Sequence, residues 1–576
     1  MKKRTGLISA AAVLSLSALL AGCSGATASD AASTAKHSAI PNGGTIVQTV
    51  SSSLGVNFIP LLDSSEYNQN VTSSMFDSIL TVNPQNQLMG DLANMPTVSK
   101  NGLTYTFTLK PSAKWSNGQR ITSKDVELGV DWLASKTYNN PPDDGSYGSF
   151  VQAIVGGSNP LPDGKTPSGF KTLGAYKFSI TVQKADPTEL GSNLAFITPL
   201  PSSVLGKIPM SKWMTSSFNK KPTVGSGAYV IQSIVPNQSV TMKANPYYVF
   251  GEPHITNSII KVISPDVVVG DLVSGQVTMA TVHAQDFIKL KNNPSLAENS
   301  EPANGYDFLG WRQNNVTYGK EFRNVKFRQA VEYAINRVAL GDALDKGYFT
   351  VTNGPFPEGV SYFDKTLSNA YAYNPEKANE LLNEAGFLIN KKTGFRMTPG
   401  GRPFNPTLTY ASGDSNTQEM AQFVKQFLGA VHINLKLLPP INFQQQINEM
   451  NNDSNGKQPI EGFLEGWDLG SGPQDPRPLW LSTAPFNTTV QDWETPASVL
   501  KENDTLLAEQ ASLKAYNPVY RQNILNQWQV LWNSQEPTNQ LIADNSLTVY
   551  SKNLHGVVFS SLGDFYPWKW YLTPSN

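Results

Sequence analysis

Hydrophobic and polar residues alternate along several short stretches of the chain, which is the pattern of half-buried β-strands. The clearest stretch is TYTFTLK at 104–110, where Tyr105 and Phe107 fall on one face and threonines on the other. KFSITVQ at 177–183 has the same period of two, and GTIVQTV at 44–50 is a further candidate. Because the side chains of a strand point to alternate faces, each stretch predicts a strand with one buried face.

Apolar residues recur at helical spacing in the second half of the chain. In NPEKANELLNEAGF, at 374–387, Asn374 is a predicted N-cap and Gly386 a predicted C-terminal stop. KFRQAVEYAINR, at 326–337, has a similar apolar stripe. Predicted strands therefore alternate with predicted helices, which indicates α/β or mixed domains. The stripe of the first helix comprises Ala378, Leu381, Leu382 and Ala385.

The N-terminus has the layout of a secretory signal. Three basic residues at 2–4 precede an apolar run at 6–22, which is too short to span a bilayer comfortably. The letters LAGC, which end on Cys23, resemble a bacterial lipobox. This resemblance implies a signal peptide at 1–22, a lipid anchor on the Cys23 sulfur and a flexible tether at 23–42. The alternative is an ordinary cleaved signal with a chance cysteine.

Composition narrows the class of partner. The chain has 44 lysines and arginines against 45 aspartates and glutamates, whereas nucleic-acid binding needs a basic surface. Charged residues make up 15%, below the roughly 25% of an average soluble domain. Such a composition would suit acidic surroundings outside the cell, where carboxylates lose their charge. The single cysteine predicts no internal disulfide. No later stretch reaches about 18 apolar residues, so the mature chain is expected not to cross a membrane.

The sequence lacks the common catalytic and metal-binding motifs. Its five histidines have no metal-ligand spacing, and there is no GxSxG nucleophile elbow. GKT at 164–166 lacks the partner glycine of a phosphate-binding loop. The stretch 451–462 resembles a calcium loop but has Gly462 where the bidentate acid belongs. We therefore expect no metal and no cofactor, and favour a binding protein over an exported enzyme with paired carboxylates.

Several segments, in order, resemble the family 5 extracellular solute-binding proteins of ABC importers, of the oligopeptide- and dipeptide-binding type. The most specific segment is 75–126, with its strand, Lys-Trp-Ser-Asn-Gly turn and capped helix. The segment 224–255 matches the family's Gly-x-Gly-Pro-Tyr strand, with Ala228 in place of the proline. The segments 272–280 and 465–476 and the two helical stretches also fit. The chain is thus identified as a member of this family.

The resemblance implies an α/β fold of the periplasmic-binding-protein type, with two lobes of mixed sheets flanked by helices and an additional inserted domain. A ligand would close the lobes by hinge motion. The expected partners are the ligand and an ABC permease with its ATPase subunits, at the outer face of the cytoplasmic membrane, and the protein would be a monomer. The implied domains are lobe I at 43–76, 214–312 and 536–576, the inserted domain at 77–213, and lobe II at 313–535.

The family resemblance implies a peptide ligand, whose charged amine needs a buried carboxylate. The family often supplies this carboxylate four residues before the proline of the cleft loop. Here Gly472 stands at that position, before Pro476. Asp468 and Asp475 are the candidate substitutes. Oligosaccharides, opine-like compounds and nickel chelates are the alternative ligands within the family.

Three aromatic residues are candidate ligand contacts. Trp467 matches the family tryptophan at the cleft and could stack on a peptide plane or a sugar ring. Tyr410 follows a predicted strand, and strand-end loops face the cleft in such folds. Tyr67 follows an early strand of the first lobe. By contrast, Arg328 and Arg337 lie on a predicted helix and are expected to form structural ion pairs.

Overall fold

The structure is a computed structural model, and it describes most of the chain beyond the N-terminal segment. The predicted signal peptide, Cys23 and most of the predicted tether lie outside the described residues. None of the described helices is both long and apolar enough to cross a bilayer. The described residues are 40–574 except 52–53, 56, 63–65, 140–146, 303, 359, 369, 452–459, 473, 485–486, 488–492 and 494–495.

Strands alternate with helices along the described chain, as the hydrophobic pattern predicts. The α-helices are α1 (Glu66–Met75), α2 (Ser123–Ala134), α3 (Ser149–Gln152), α4 (Glu189–Ser192), α5 (Ser217–Lys220), α6 (Val269–Val273), α7 (Ala284–Leu290), α8 (Gly319–Phe322), α9 (Val325–Ala334), α10 (Arg337–Leu344), α11 (Pro375–Glu384), α12 (Ser415–Ala430), α13 (Phe443–Asn451), α14 (Arg477–Trp480), α15 (Ala497–Glu509) and α16 (Pro518–Gln535). The strands are β1 (Thr45–Val50), β2 (Leu80–Val82), β3 (Leu88–Gly90), β4 (Thr97–Val98), β5 (Thr104–Thr108), β6 (Phe170–Gly174), β7 (Lys177–Thr181), β8 (Tyr229–Val235), β9 (Ser239–Ala244), β10 (Asn257–Val262), β11 (Met279–Thr281), β12 (Leu296–Glu301), β13 (Gly305–Trp311), β14 (Phe349–Val351), β15 (Thr407–Thr409), β16 (Lys436–Leu437), β17 (Gly462–Asp468), β18 (Thr538–Gln540), β19 (Ile542–Asp544), β20 (Ser546–Ser551), β21 (Leu554–His555), β22 (Val558–Ser560), β23 (Gly563–Phe565) and β24 (Tyr571–Leu572).

A mixed seven-stranded sheet has the order β12-β20-β11-β1-β10-β9-β8. The predicted strand at 44–50 is β1, which lies in the middle of this sheet and pairs in parallel with β10 and β11. Its residues Ile46 and Val50 are buried, as the alternation predicts.

A second mixed sheet has five strands in the order β16-β15-β17-β13-β18. The core beside this sheet includes residues of both predicted helices. In one of them, α11, the Asn374 side chain caps the helix by accepting from the Lys377 amide at 2.9 Å. The other predicted helix ends at Ala334, short of the predicted 337. It ends there because Asn336 caps a separate helix, α10, by accepting from the Ala339 amide at 3.0 Å.

The chain passes between these two sheets at two places that lie side by side. The first passage, at 302–304, joins β12 to β13, and the second, at Asn545, joins β19 to β20. Strands β12 and β20 pair on one side, while β13 and β18 pair on the other. The Asn545 side chain also donates to the Ser300 hydroxyl at 3.0 Å. This double passage separates residues 305–544 from the sheet formed before and after them.

A four-stranded sheet, β4-β5-β7-β6, lies within the predicted inserted domain and confirms the strands predicted at 104–110 and 177–183. Phe107 stacks on Phe178 with ring centroids 5.0 Å apart. The predicted domain boundaries remain a prediction. Strand pairing favours moving them to 302–304 and Asn545, because β13 and β18, assigned by the prediction to lobe I, pair within the five-stranded sheet.

Candidate functional site

The candidate site lies at one edge of the five-stranded sheet. Strands β15 and β17 are parallel, so their carboxyl ends reach the same edge. Because β13 is antiparallel to β17, its amino end lies there too, directly after the passage at 302–304. Ligands of α/β folds commonly bind at the carboxyl ends of strands. This edge therefore combines strand ends with the connection to the other sheet.

Trp467, near the end of β17, has a half-buried side chain. It packs against two apolar clusters, one that includes Trp528 and Trp532 and another that includes Tyr306 and Phe463. The buried part of the indole fixes its position, and the exposed part leaves an aromatic surface for a ligand.

Asp468, the last residue of β17, is exposed and held in place by one carboxylate oxygen. Its Oδ1 accepts from the Asn304 side chain at 3.1 Å and from the Gly470 amide at 2.9 Å. The other oxygen accepts no hydrogen bond from the described residues, so it retains the capacity to accept one from a ligand amine.

Asp475 is buried, and its carboxylate is already engaged. The Arg477 guanidinium contacts Asp475 Oδ2 at 2.6 Å, and the Gln510 side chain donates to Oδ1 at 3.0 Å. Burial would raise the pKa of Asp475, but the adjacent Arg477 charge outweighs it and lowers that pKa. Of the two predicted carboxylates, Asp468 therefore has the greater capacity for a ligand.

The other predicted aromatic contacts lie apart from Trp467 and Asp468. Tyr410 follows β15 at the correct edge, but its side chain is 6% exposed and belongs to the core of the five-stranded sheet. Tyr67 is half-buried on α1, which packs against β8 of the seven-stranded sheet. Trp467 and Asp468 are consecutive in the sequence, and both reach solvent at the end of β17.

Sequence reasoning missed an acidic group close to the passages between the sheets. Asp307 on β13 and Glu465 on β17 come from adjacent strands, and a side chain at Gly466 would approach the Asp307 carboxylate at 3.1 Å. Both acids interrupt otherwise apolar stretches, GYDFLGW and GFLEGW, which is the signal that could have found them. The acidic group comprises Asp307, Asp345, Asp414, Glu465 and Asp544.

The charges of the acidic group act on one another. Burial, together with the charges of Asp544, Asp345, Asp414 and Glu465, raises the pKa of Asp307. Burial raises the pKa of Glu465 to about 8, and burial with nearby Asp544 raises that of Asp345 to about 7. Among the described residues, no ion pair reaches the group. Glu465 therefore favours its protonated form at neutral pH, and a cationic group placed beside the acidic group would favour the charged forms of its carboxyl groups.

The acidic group is not arranged as a metal centre. Among the described histidine, cysteine, aspartate and glutamate side chains, no three are placed to hold one metal ion. Solvent reaches Asp544, although burial among protein atoms raises its pKa.

Comparison with protein families gives one match over most of the chain. Residues 87–487, more than half of the chain, match the model described as bacterial extracellular solute-binding proteins, family 5. The oligopeptide-binding protein AppA of Bacillus subtilis is 23% identical over 582 residues, which cover 99% of each chain.

Comparison with solved structures gives the same architecture. AppA of Bacillus subtilis, in complex with a nonapeptide, superposes with a TM-score of 0.78 at 21% identity and covers 93% of this chain and 100% of its own. Lactococcal OppA, complexed with an endogenous peptide in the closed conformation, has a TM-score of 0.78 at 19% identity, with 92% and 99% coverage. These likenesses confirm the predicted two-lobed α/β fold.

Proposed function

The chain belongs to the family 5 bacterial extracellular solute-binding proteins, and from this premise we propose that it captures peptides in a cleft between its lobes and delivers them to an ABC permease. Membership confirms the family predicted from the motifs, which is a transport family rather than an enzyme family. Relatives named for oligopeptide binding support a peptide ligand over an oligosaccharide, an opine or a nickel chelate.

One observation supports an amine-bearing ligand. Trp467 and Asp468 are consecutive residues at the end of β17, so their side chains leave opposite faces of the strand at a sheet edge that a ligand could span, and Asp307 and Glu465 lie nearby on β13 and β17. An aromatic surface can pack on a peptide plane, and a carboxylate can accept hydrogen bonds from a charged amine. We assign the ligand's amino terminus to Asp468 and a peptide plane to Trp467.

We expect a pool of synthetic nonapeptides with free amino termini to raise the melting temperature of the protein, and N-acetylation of the pool to abolish most of the shift. Trp467→Ala should weaken binding about two- to twelvefold, because aromatic contacts contribute about 0.5–1.5 kcal/mol. Trp467→Phe, which keeps an aromatic face, should lose less. Differential scanning fluorimetry and calorimetry measure both effects.

Three results would contradict these assignments. Equal shifts with free and acetylated pools would remove the role of the amine. Unfolding of Trp467→Ala without a ligand-specific loss would make Trp467 a core residue. Turnover of peptide or glycan by the pure protein would favour an enzyme with paired carboxylates.

Anchoring through Cys23 is the second part of the proposal. A membrane-bound carrier stays near its permease, which raises its effective concentration there. We expect Cys23→Ser to move the protein from the membrane fraction to the soluble fraction and to abolish labelling by palmitate, as followed by immunoblotting and autoradiography. Unchanged membrane association of Cys23→Ser would show that the cysteine is not the anchor.

A further inference from the structure

Arg477 joins two parts of the chain that the double passage separates. It begins α14, within residues 305–544, whereas its partners Asp186 and Thr188 precede the first passage. Its Nη1 contacts Asp186 Oδ2 at 2.7 Å, and its Nη2 donates to the Thr188 hydroxyl at 2.8 Å. The same guanidinium holds Asp475 on its own side. Arg477 therefore bridges one carboxylate from each part.

Hydrogen bonds within each part of the chain hold the two carboxylates that Arg477 bridges, Asp186 and Asp475, in position. The Thr188 amide and hydroxyl both donate to Asp186 Oδ1, at 2.9 and 2.8 Å, which leaves Oδ2 for the arginine. On the other side, Asp475 accepts from both the amide and the guanidinium of Arg477. Little side-chain freedom remains to be lost when the two sides meet, so the contact forms at low entropic cost.

A second contact lies on the loop between β17 and α14, which follows Trp467 and Asp468. The Gly472 amide donates to Asn86 Oδ1 at 2.6 Å, and the Asn86 side chain donates back to the Gly472 carbonyl at 3.2 Å. Gly472 has φ +95°, and a Cβ there would lie 2.5 Å from the Gly191 carbonyl oxygen. Only glycine fits this approach, which explains why the position expected to carry an acid has none.

We propose that Arg477 is a positioning residue that latches the lobes in their closed arrangement and holds the β17–α14 loop against the inserted domain. This inference rests on the proposed function. In a two-lobed protein whose lobes are joined at the double passage, contacts from Asp186 and Asn86 to this loop form only when the lobes approach. When the lobes open, Arg477 stays paired with Asp475 and water reaches Asp186. The latch can therefore reverse without leaving a buried charge that has no partner. Ligand release then requires the latch to open.

Asp186→Asn tests the latch without altering Trp467 or Asp468, and without stranding the buried Asp475 as Arg477→Met would. The matched control is Glu252→Gln, which removes one charge from an exposed acid of the same part of the chain. Spin labels on Lys171→Cys and Lys501→Cys, both exposed and on opposite sides of the passages, report the interlobe distance. The full chain carries Cys23→Ser, so these two are its only thiols.

We expect Asp186→Asn to shift the double electron–electron resonance distances toward the open form, and to speed dissociation of the bound nonapeptide pool about tenfold. Glu252→Gln should leave both unchanged. Distances and rates equal to those of the parent chain, or an equal shift in Glu252→Gln, would overturn the latch. If no peptide binds, the proposed function fails, but the distances without peptide still decide whether the latch exists.

Discussion

Asp77→Asn should raise the free energy of unfolding by about 2 kcal/mol at pH 8 and change it little at pH 5. Asp77 and Asp91 are buried within hydrogen-bonding reach of each other, a bond that two carboxyl groups can form only by sharing a proton. Burial raises the pKa of both, that of Asp91 to about 7. At pH 8 the folded protein must either keep a proton on the pair or hold two like charges, and the nearby Lys110 offsets this cost only in part.

The direction of the pH effect follows from proton binding. In the unfolded chain both groups titrate near their ordinary pKa of 3.8, whereas in the folded protein Asp91 titrates at about 7. The folded state therefore binds more protons between these values. The stability contributed by the shared proton is complete below about pH 4 and is lost as the pH rises through about 7. Asp77→Asn removes the repulsion while its amide still donates to Asp91.

Urea denaturation followed by tryptophan fluorescence, at pH 5 and pH 8, measures the effect. Glu252→Gln, at an exposed acid, serves as the control and should change neither value by more than about 0.5 kcal/mol. Equal destabilisation by Asp77→Asn at both pH values would show that Asp77 acts through packing rather than through its charge.

Other buried carboxyl groups in the molecule also have raised pKa values. Burial raises the pKa of Glu189 and of Glu332 to about 7, and that of Glu465 to about 8. Each of these groups favours the folded state at acidic pH by the same proton balance. The low share of charged residues leads us to expect acidic surroundings outside the cell. A folded state that these buried carboxyl groups favour at acidic pH would suit such surroundings.

Local elements could be predicted from the sequence because their signals are local. The alternation at 104–110 and the cap at Asn374 depend on neighbours within a few residues, and both are confirmed. The acidic group could not be predicted, because Asp307 and Glu465 become neighbours only when β13 and β17 pair. Likewise, Asp475 is a reasonable ligand carboxylate until the fold places Arg477 on it.

Arg328 and Arg337 also show that local sequence patterns do not reveal which residues the fold buries. The predicted ion pair of Arg337 is confirmed, with Glu332 at 2.5 Å, but both side chains are buried rather than on the solvated face that charged helix residues usually occupy. Arg328 instead binds main-chain carbonyls, including that of Glu536 at 2.7 Å. Burial of these residues depends on the later strand β18 and helix α16, which local patterns do not reveal.

Arg337→Met should cost about 3–5 kcal/mol of unfolding free energy at pH 8, the largest effect that we expect. The guanidinium donates to Glu332 and to the Thr352 and Tyr371 carbonyls at 2.7 and 2.6 Å, as well as to the Asn353 side chain. Removing the guanidinium leaves the buried carboxyl group of Glu332 without its cationic partner. Lys326→Met provides the matched control, because its pair with Glu384 is exposed and worth less than about 1 kcal/mol.

Charge and packing can be separated by combining Arg337→Met with Glu332→Gln. Burial raises the pKa of Glu332 to about 7 although Arg337 lowers it, so without Arg337 the carboxyl group takes up a proton more readily. The cost of Arg337→Met should therefore be smaller at pH 5 than at pH 8, and smaller at pH 8 when Glu332→Gln is already present. A cost that is independent of both pH and Glu332→Gln would place the whole contribution of Arg337 in its other hydrogen bonds, to the Thr352 and Tyr371 carbonyls and to the Asn353 side chain, because neither change alters those bonds.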